Sequence, residues 1–76
     1  MKRKQVQSSN IRSIGYNCNL GVLEIEFNGG AVYYYKEVEP EVVVELLLAE
    51  SIGAHFASNI KTKYPYVKGE YNGLQG

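Results

Sequence analysis

The sequence predicts an α+β domain: a three-stranded antiparallel β-meander followed by one amphipathic helix and a second short helix, both packed on one sheet face. Three observations carry this expectation. In Leu20 to Phe27, residues Leu23, Ile25 and Phe27 alternate with Val22, Glu24 and Glu26, the period-two pattern of a strand with one dry and one wet face. Asn28-Gly29-Gly30 is the plainest turn signal in the chain and leads into Val32-Tyr33-Tyr34-Tyr35. Val42, Val43, Leu46, Leu47 and Ala49 then recur at helical spacing behind Pro40.

Taken in order, the chain divides into a flexible basic arm over 1–7, a single domain over 8–66 and a flexible tail over 67–76. The arm has no apolar period. Ser8 to Tyr16, with Ile11, Ile14 and Tyr16 among small polar residues, suits a first strand, and Asn17-Cys18-Asn19 a turn. Glu24 and Glu26 on the next strand are expected to face solvent.

The hairpin after Phe27 has two possible registers, and a slip of one residue reverses every side chain of the following strand. A two-residue Asn28-Gly29 turn sends Val32 and Tyr34 to the core. A three-residue loop, with Asn28 and Gly29 in a type I turn and Gly30 left-handed, sends Tyr33 and Tyr35 inward. The second is preferred because it gives Gly30 a conformation that only glycine adopts without strain.

Pro40 fits the first helical position, and Glu39 and Glu41 suit the positive end of the helix dipole, so an amphipathic helix is expected from Pro40 to about Glu50. Val44 and Leu48 overflow its apolar stripe and are candidate interface residues. Ser51 is available as the next N-cap. Ile52, Phe56 and Ile60 give a second helix to about Lys61, with His55 and Asn59 on another side. Lys61 to Lys68 reads as an extended basic aromatic segment, since Tyr64 precedes a proline.

A chain of 76 residues holds one modest core, and self-association would relieve its marginal stability. The single Cys18 and single His55 provide neither a disulfide framework nor a zinc-ligand set, and no cofactor is implied. A reducing cytoplasm fits this cysteine usage. The basic start is followed by polar Gln5 to Asn10, where a signal peptide would need an apolar run, and no stretch approaches a membrane span.

Formal charge sums to zero, with lysine and arginine gathered at the two ends and glutamate in the middle. A polyanion would therefore meet the ends. Glu24 and Glu26, roughly 7 Å apart along a strand, have the spacing of a carboxylate pair but no cleft around them. With no Asp, no Walker loop and no dinucleotide fingerprint, the sequence predicts no enzyme.

The chain resembles the KTSC domain, a short module named after its place at the C-terminus of some lysyl-tRNA synthetases and found also as a free-standing bacterial or phage protein. The matching pieces are Ser8-Ser9-Asn10-Ile11, Ile14-Gly15-Tyr16, Leu23 to Phe27, and Gly30 to Tyr35 with its Tyr-x-Tyr. They continue with Val38, Ala49-Glu50-Ser51-Ile52-Gly53, Phe56, Ile60 and Tyr64-Pro65-Tyr66. Where the pattern has Val-Pro, this chain has Val38-Glu39-Pro40, one residue longer. The resemblance implies that Tyr33, Tyr35, Ser51 and Gly53 are motif residues with structural roles. Its association with a synthetase implies RNA as a partner class.

RNA contact would combine bases stacking on exposed aromatics with cations along the phosphates. Tyr34 with Lys36, and Tyr64 and Tyr66 among Lys61, Lys63 and Lys68, have that mixture. The C-terminal group is favoured, because Glu24 and Glu26 would repel phosphate from any tyrosine on their face. The competing expectation is a protein-docking or self-associating module using Val44, Leu48 and the tyrosine hairpin.

Overall fold

The computed structural model describes residues 3–69 and contains seven elements: β1 Arg3–Gln5, β2 Ile11–Asn17, β3 Val22–Phe27, β4 Val32–Tyr35, α1 Pro40–Leu48, α2 Ile52–Asn59 and β5 Tyr66–Lys68. All five strands form one antiparallel sheet in the order β1-β2-β3-β4-β5. The expected three-stranded meander, β2 to β4, is its centre. The two added strands are the correction.

Both additions lie in segments expected to be flexible. Arg3–Gln5, placed in the arm, pairs with β2 as Arg3↔Gly15, Lys4↔Ile14 and Gln5↔Ser13. Val67 and Lys68, placed in the tail, pair with Tyr34 and Tyr33. Each is a three-residue edge strand held through backbone groups, and short charged edges leave no hydrophobic alternation to detect. Pro65 sits just ahead of β5, where its missing N–H breaks no ladder bond, and its carbonyl accepts from the Lys36 N–H at 2.8 Å. The rest of the expected arm and tail, 1–2 and 70–76, lies outside the described residues.

The hairpin adopts the three-residue loop. The Gly30 N–H donates to the Phe27 carbonyl at 2.9 Å, and Gly30 has φ +97°. Pairing of Leu23 with Tyr35 and Ile25 with Tyr33 puts both tyrosines on the helix-bearing face. Glu24 opposes Tyr34 on the other face.

On the inner face Ile11, Ile14, Leu23, Ile25 and Tyr35 join Val38, Val43, Leu46, Phe56 and Ile60 in one core. α1 starts with Pro40 in its first turn behind an extended Glu39, and buries Val43 and Leu46. It ends at Leu48, two residues short of expectation, because Ala49 turns extended at ψ 145°. α2 is capped by Ser51, whose Oγ accepts from the Ala54 N–H at 3.3 Å, and it ends at Asn59. Tyr16 fastens the loop before α1 by donating its hydroxyl proton to the Val38 carbonyl at 2.6 Å. Burial raises the Tyr16 pKa, with Cys18, Glu41 and Glu39 adding to the effect.

Glu24 and Glu26 do not stand free in solvent. Glu24 is 5% exposed, and Glu26 is half-buried. A bulge at Arg12, between the Ile11↔Phe27 and Ser13↔Glu26 pairs, brings three polar groups together. Ser13 Oγ donates to Glu26 Oε1 at 2.7 Å, and Arg12 Nη1 lies 3.8 Å from Glu26 Oε2. Engaged carboxylates on a strand face are structural features, without the opposed placement around a cleft that glycoside chemistry requires.

Candidate nucleic-acid interface

Strand alternation and a turn together build an aromatic cleft at one end of the inner face. Tyr33 and Tyr35 stand side by side on β4, with nearly parallel rings 6.3 Å apart. β5 lays Tyr66 against both, at centroid distances of 5.4 Å. Phe56 of α2 meets the Tyr35 ring edge-on at 5.3 Å, and Phe27 meets Phe56 and Tyr33 edge-on at 5.7 and 5.4 Å. These are the separations at which aromatic pairs attract beyond simple area burial.

After α2 the chain does not extend at once. The N–H groups of Ile60 and Lys61 both donate to the Phe56 carbonyl, and the Lys63 N–H donates to that of Ile60. The resulting turn swings Lys61, Thr62 and Tyr64 around the open side of the aromatic cluster. The cleft between them holds about 590 Å³ and is also lined by Asn10. No carboxylate lines it among the described residues. Lys68 reaches over its edge, with Nζ 5.8 Å from the Tyr33 ring centroid.

The tyrosines differ in environment. Tyr35 is 2% exposed, whereas Tyr66 is 53% exposed. Burial first, then the neighbouring phenols of Tyr66 and Tyr33, push the Tyr35 pKa up to about 12. Tyr35 is therefore a neutral hydroxyl at the cleft floor under any ordinary condition.

The residues singled out from the sequence are divided by the fold. Lys61, Tyr64 and Tyr66 line the cleft and Lys68 stands at its edge. Lys63 is exposed beyond it, and Lys36 contributes its backbone N–H to Pro65. Tyr34 is on the opposite face, between Glu24 and Val67, beside a smaller hollow of about 280 Å³. The carboxylates expected to repel phosphate thus share Tyr34's face and leave the cleft clear. Val44 and Leu48, 53% and 80% exposed, project from α1 away from the cleft lining.

Several lining residues were not among the binding residues expected from the sequence, Phe56 and Asn10 among them. Phe56 is recognisable only as a core position of an amphipathic helix, yet it forms one cleft wall. Asn10 belongs to the Ser8-Ser9-Asn10 segment, and its place is set by α2. A Cβ on Gly53 would lie 2.7 Å from Asn10 Oδ1 and 3.1 Å from Ser8 Oγ. Glycine at 53 therefore lets this segment lie against the first turn of α2.

The KTSC domain family profile matches residues 7–64. The chain belongs to the KTSC domain family. A KTSC domain protein from Yersinia pestis has a crystal structure that superimposes with a TM-score of 0.85 at 36% identity, covering 91% of this chain and 97% of that one. An uncharacterized protein of Stutzerimonas stutzeri is 48% identical over 64 residues, 84% of this chain and 90% of the relative. A lysine–tRNA ligase of Nostoc punctiforme is 38% identical over 60 residues, 79% of this chain and 11% of the ligase. The KTSC fold thus occurs both as nearly the whole of a small protein and as a small part of a synthetase. No helix among the described residues is long and apolar enough to cross a membrane.

Proposed function

We propose that this KTSC domain is a non-enzymatic binding module for single-stranded RNA, taking unstacked bases into the aromatic cleft. The observation that carries this reading is the cleft's composition: a cluster of aromatic rings with Lys61 and Lys68 at the margin and no carboxylate in the lining among the described residues. Aromatic walls alone would equally suit a quaternary ammonium group. Lysines at the margin repel such a cation and attract a phosphate. A flat, anionic ligand is what this combination recognises, and a stacked base contributes about 1–3 kcal/mol. The Nostoc relative, named as a lysine–tRNA ligase, carries the same fold into an enzyme that handles RNA.

The test is fluorescence anisotropy of a labelled single-stranded RNA at low salt and again at about 0.2 M. Two phosphate contacts give a slope of about −1.4 in log affinity against log salt, hence about a sevenfold loss for a fourfold rise in salt. Lys61→Glu with Lys68→Glu should remove binding, and Lys63→Glu, outside the cleft, should spare most of it. Absence of low-salt binding by the parent protein refutes the reading.

A second reading is supported by Val44 and Leu48, one helical turn apart and exposed on α1. In it a second copy of the chain covers this pair. Sedimentation of the parent protein and of Leu48→Glu separates the two, since only self-association responds to that change.

A further inference from the structure

The asparagines of this chain differ in what holds them. An asparagine carboxamide is open to attack by the backbone nitrogen of the next residue, which makes it one of the thermolabile side chains. The attack needs that nitrogen and the carboxamide to be free together. At Asn10, Asn19 and Asn59 the following nitrogen is engaged: the Ile11 N–H donates to Ser8 Oγ at 3.4 Å, the Leu20 N–H to Asn17 Oδ1 at 3.2 Å, and the Ile60 N–H to the Phe56 carbonyl at 2.9 Å. At Asn17 the carboxamide is held, since its Oδ1 accepts from the backbone N–H groups of both Asn19 and Leu20.

Asn28 differs on each count. The next residue, Gly29, has no side chain to hinder approach, its N–H has no acceptor among the described residues, and a methyl group placed on it would meet nothing within 4 Å. Both residues are exposed in the hairpin loop. The Asn28 carboxamide is restrained by an exposed hydrogen bond, Nδ2 donating to the Ser9 carbonyl at 2.9 Å. A bond of this kind shifts an equilibrium by only about fivefold. The carboxamide therefore leaves Ser9 readily and turns onto the Gly29 nitrogen.

We propose that Asn28 is a site of spontaneous covalent modification in the folded domain, and that the change releases the Ser8 to Asn10 segment from the hairpin. The Gly29 nitrogen loses its proton to solvent hydroxide and attacks Cγ of Asn28. The N–Cγ bond forms, the Cγ–Nδ2 bond breaks, and ammonia leaves with a proton taken from water. Water then opens the cyclic imide at either carbonyl, giving aspartate or isoaspartate, so the net exchange is amide and water for acid and ammonia, with nothing oxidised or reduced. Either product ends the donation to Ser9, because a carboxylate has only acceptor oxygens. In isoaspartate the main chain is also one carbon longer. Asn10 lines the cleft, so its rim loosens with the segment. This chemistry needs no ligand and is independent of the RNA reading.

The experiment incubates the full chain at mildly alkaline pH, with and without urea, and locates mass changes to single residues by tandem mass spectrometry. In native buffer Asn28 should gain the mass of an amide-to-acid exchange before Asn10, Asn17, Asn19 and Asn59 do. Asn72-Gly73, outside the described residues, is read separately. Gly29→Ala adds a methyl group into open space at a φ outside the left-handed region, so it should keep the fold and slow the conversion severalfold. Asn28→Asp makes one product directly and should raise the unfolded-to-folded ratio in urea about fivefold, the worth of about one net hydrogen bond. Asn28 intact in native buffer after it has converted in urea would show that the folded loop protects it, and would overturn the proposal. An Asn28→Asp variant as stable as the parent would overturn the release of Ser8 to Asn10.

Discussion

The two halves of the inner sheet face begin alike and end differently. Under β2 and β3 the middle of the face is aliphatic, with Tyr16 and Phe27 toward its ends, and Ile11, Leu23 and Ile25 are fully buried together with Leu46 and Ile60. Under β4 and β5 they are aromatic, and the same face passes from Tyr35 at 2% exposure to Tyr66 at 53% within one pair of neighbouring strands. Branched aliphatic chains interdigitate to interior density. Planar rings meet at edges and leave room, so the domain closes where it is aliphatic and opens where it is aromatic. The core and the cleft are one surface with two packing outcomes.

The largest effect should come from the closed half. Leu46→Ala removes a fully buried side chain from the core cluster, and should cost about 2–5 kcal/mol in urea denaturation, enough to unfold much of so small a domain. Tyr66→Ala, at the open half, should change stability far less while weakening RNA binding by about 1–3 kcal/mol. If Tyr66→Ala instead destabilises as strongly as Leu46→Ala, the open half is core and the comparison fails.

Alkaline pH probes the buried end of the aromatic side at Tyr35. The Tyr35 hydroxyl has a folded pKa of about 12 against an ordinary value of 10.0, so between these the unfolded chain releases its proton first. Stability from this group is complete below pH 10 and falls by up to about 1.4 kcal/mol per pH unit as pH rises toward 12. Thermal melts should show Tyr35→Phe losing less stability over this window than the parent.

The smallest stability change is expected at Gly53. Alanine there gains about 1 kcal/mol of helix propensity. Its Cβ also meets Asn10 Oδ1 at 2.7 Å, so the side chain must turn away from Ser8. The two effects oppose, and Gly53→Ala should melt within about 1 kcal/mol of the parent. A loss well beyond that would show that the Asn10 side chain cannot give way to the added methyl group.

Much of the central fold was legible from local pattern. Alternation in Leu23 to Phe27 marks β3, Pro40 and the Val42 to Ala49 stripe mark α1, and Ser51 marks the start of α2. The glycine at 30 even selects the register that turns Tyr33 and Tyr35 inward. The edges were not legible: Arg3–Gln5 and Tyr66–Lys68 carry no period, since a short edge strand is specified by the backbone groups of its neighbour. Burial of Glu24 was likewise hidden, because alternation with apolar residues reads as a wet face whatever later covers it.

For the site, sequence supplied the ingredients, tyrosines at strand spacing and lysines around Tyr64-Pro65-Tyr66. Tertiary structure decided which of them meet. It separated Tyr34 from Tyr33 and Tyr35 by the pleat, joined Tyr66 to them through β5, and recruited Asn10 and Phe56 from distant segments. The physical reason is one of range. Turn chemistry and hydrophobic period act between residues a few positions apart and are written in the order of the chain, whereas a cleft arises from packing between residues tens of positions apart, whose contacts exist only once the sheet and helices have closed around them.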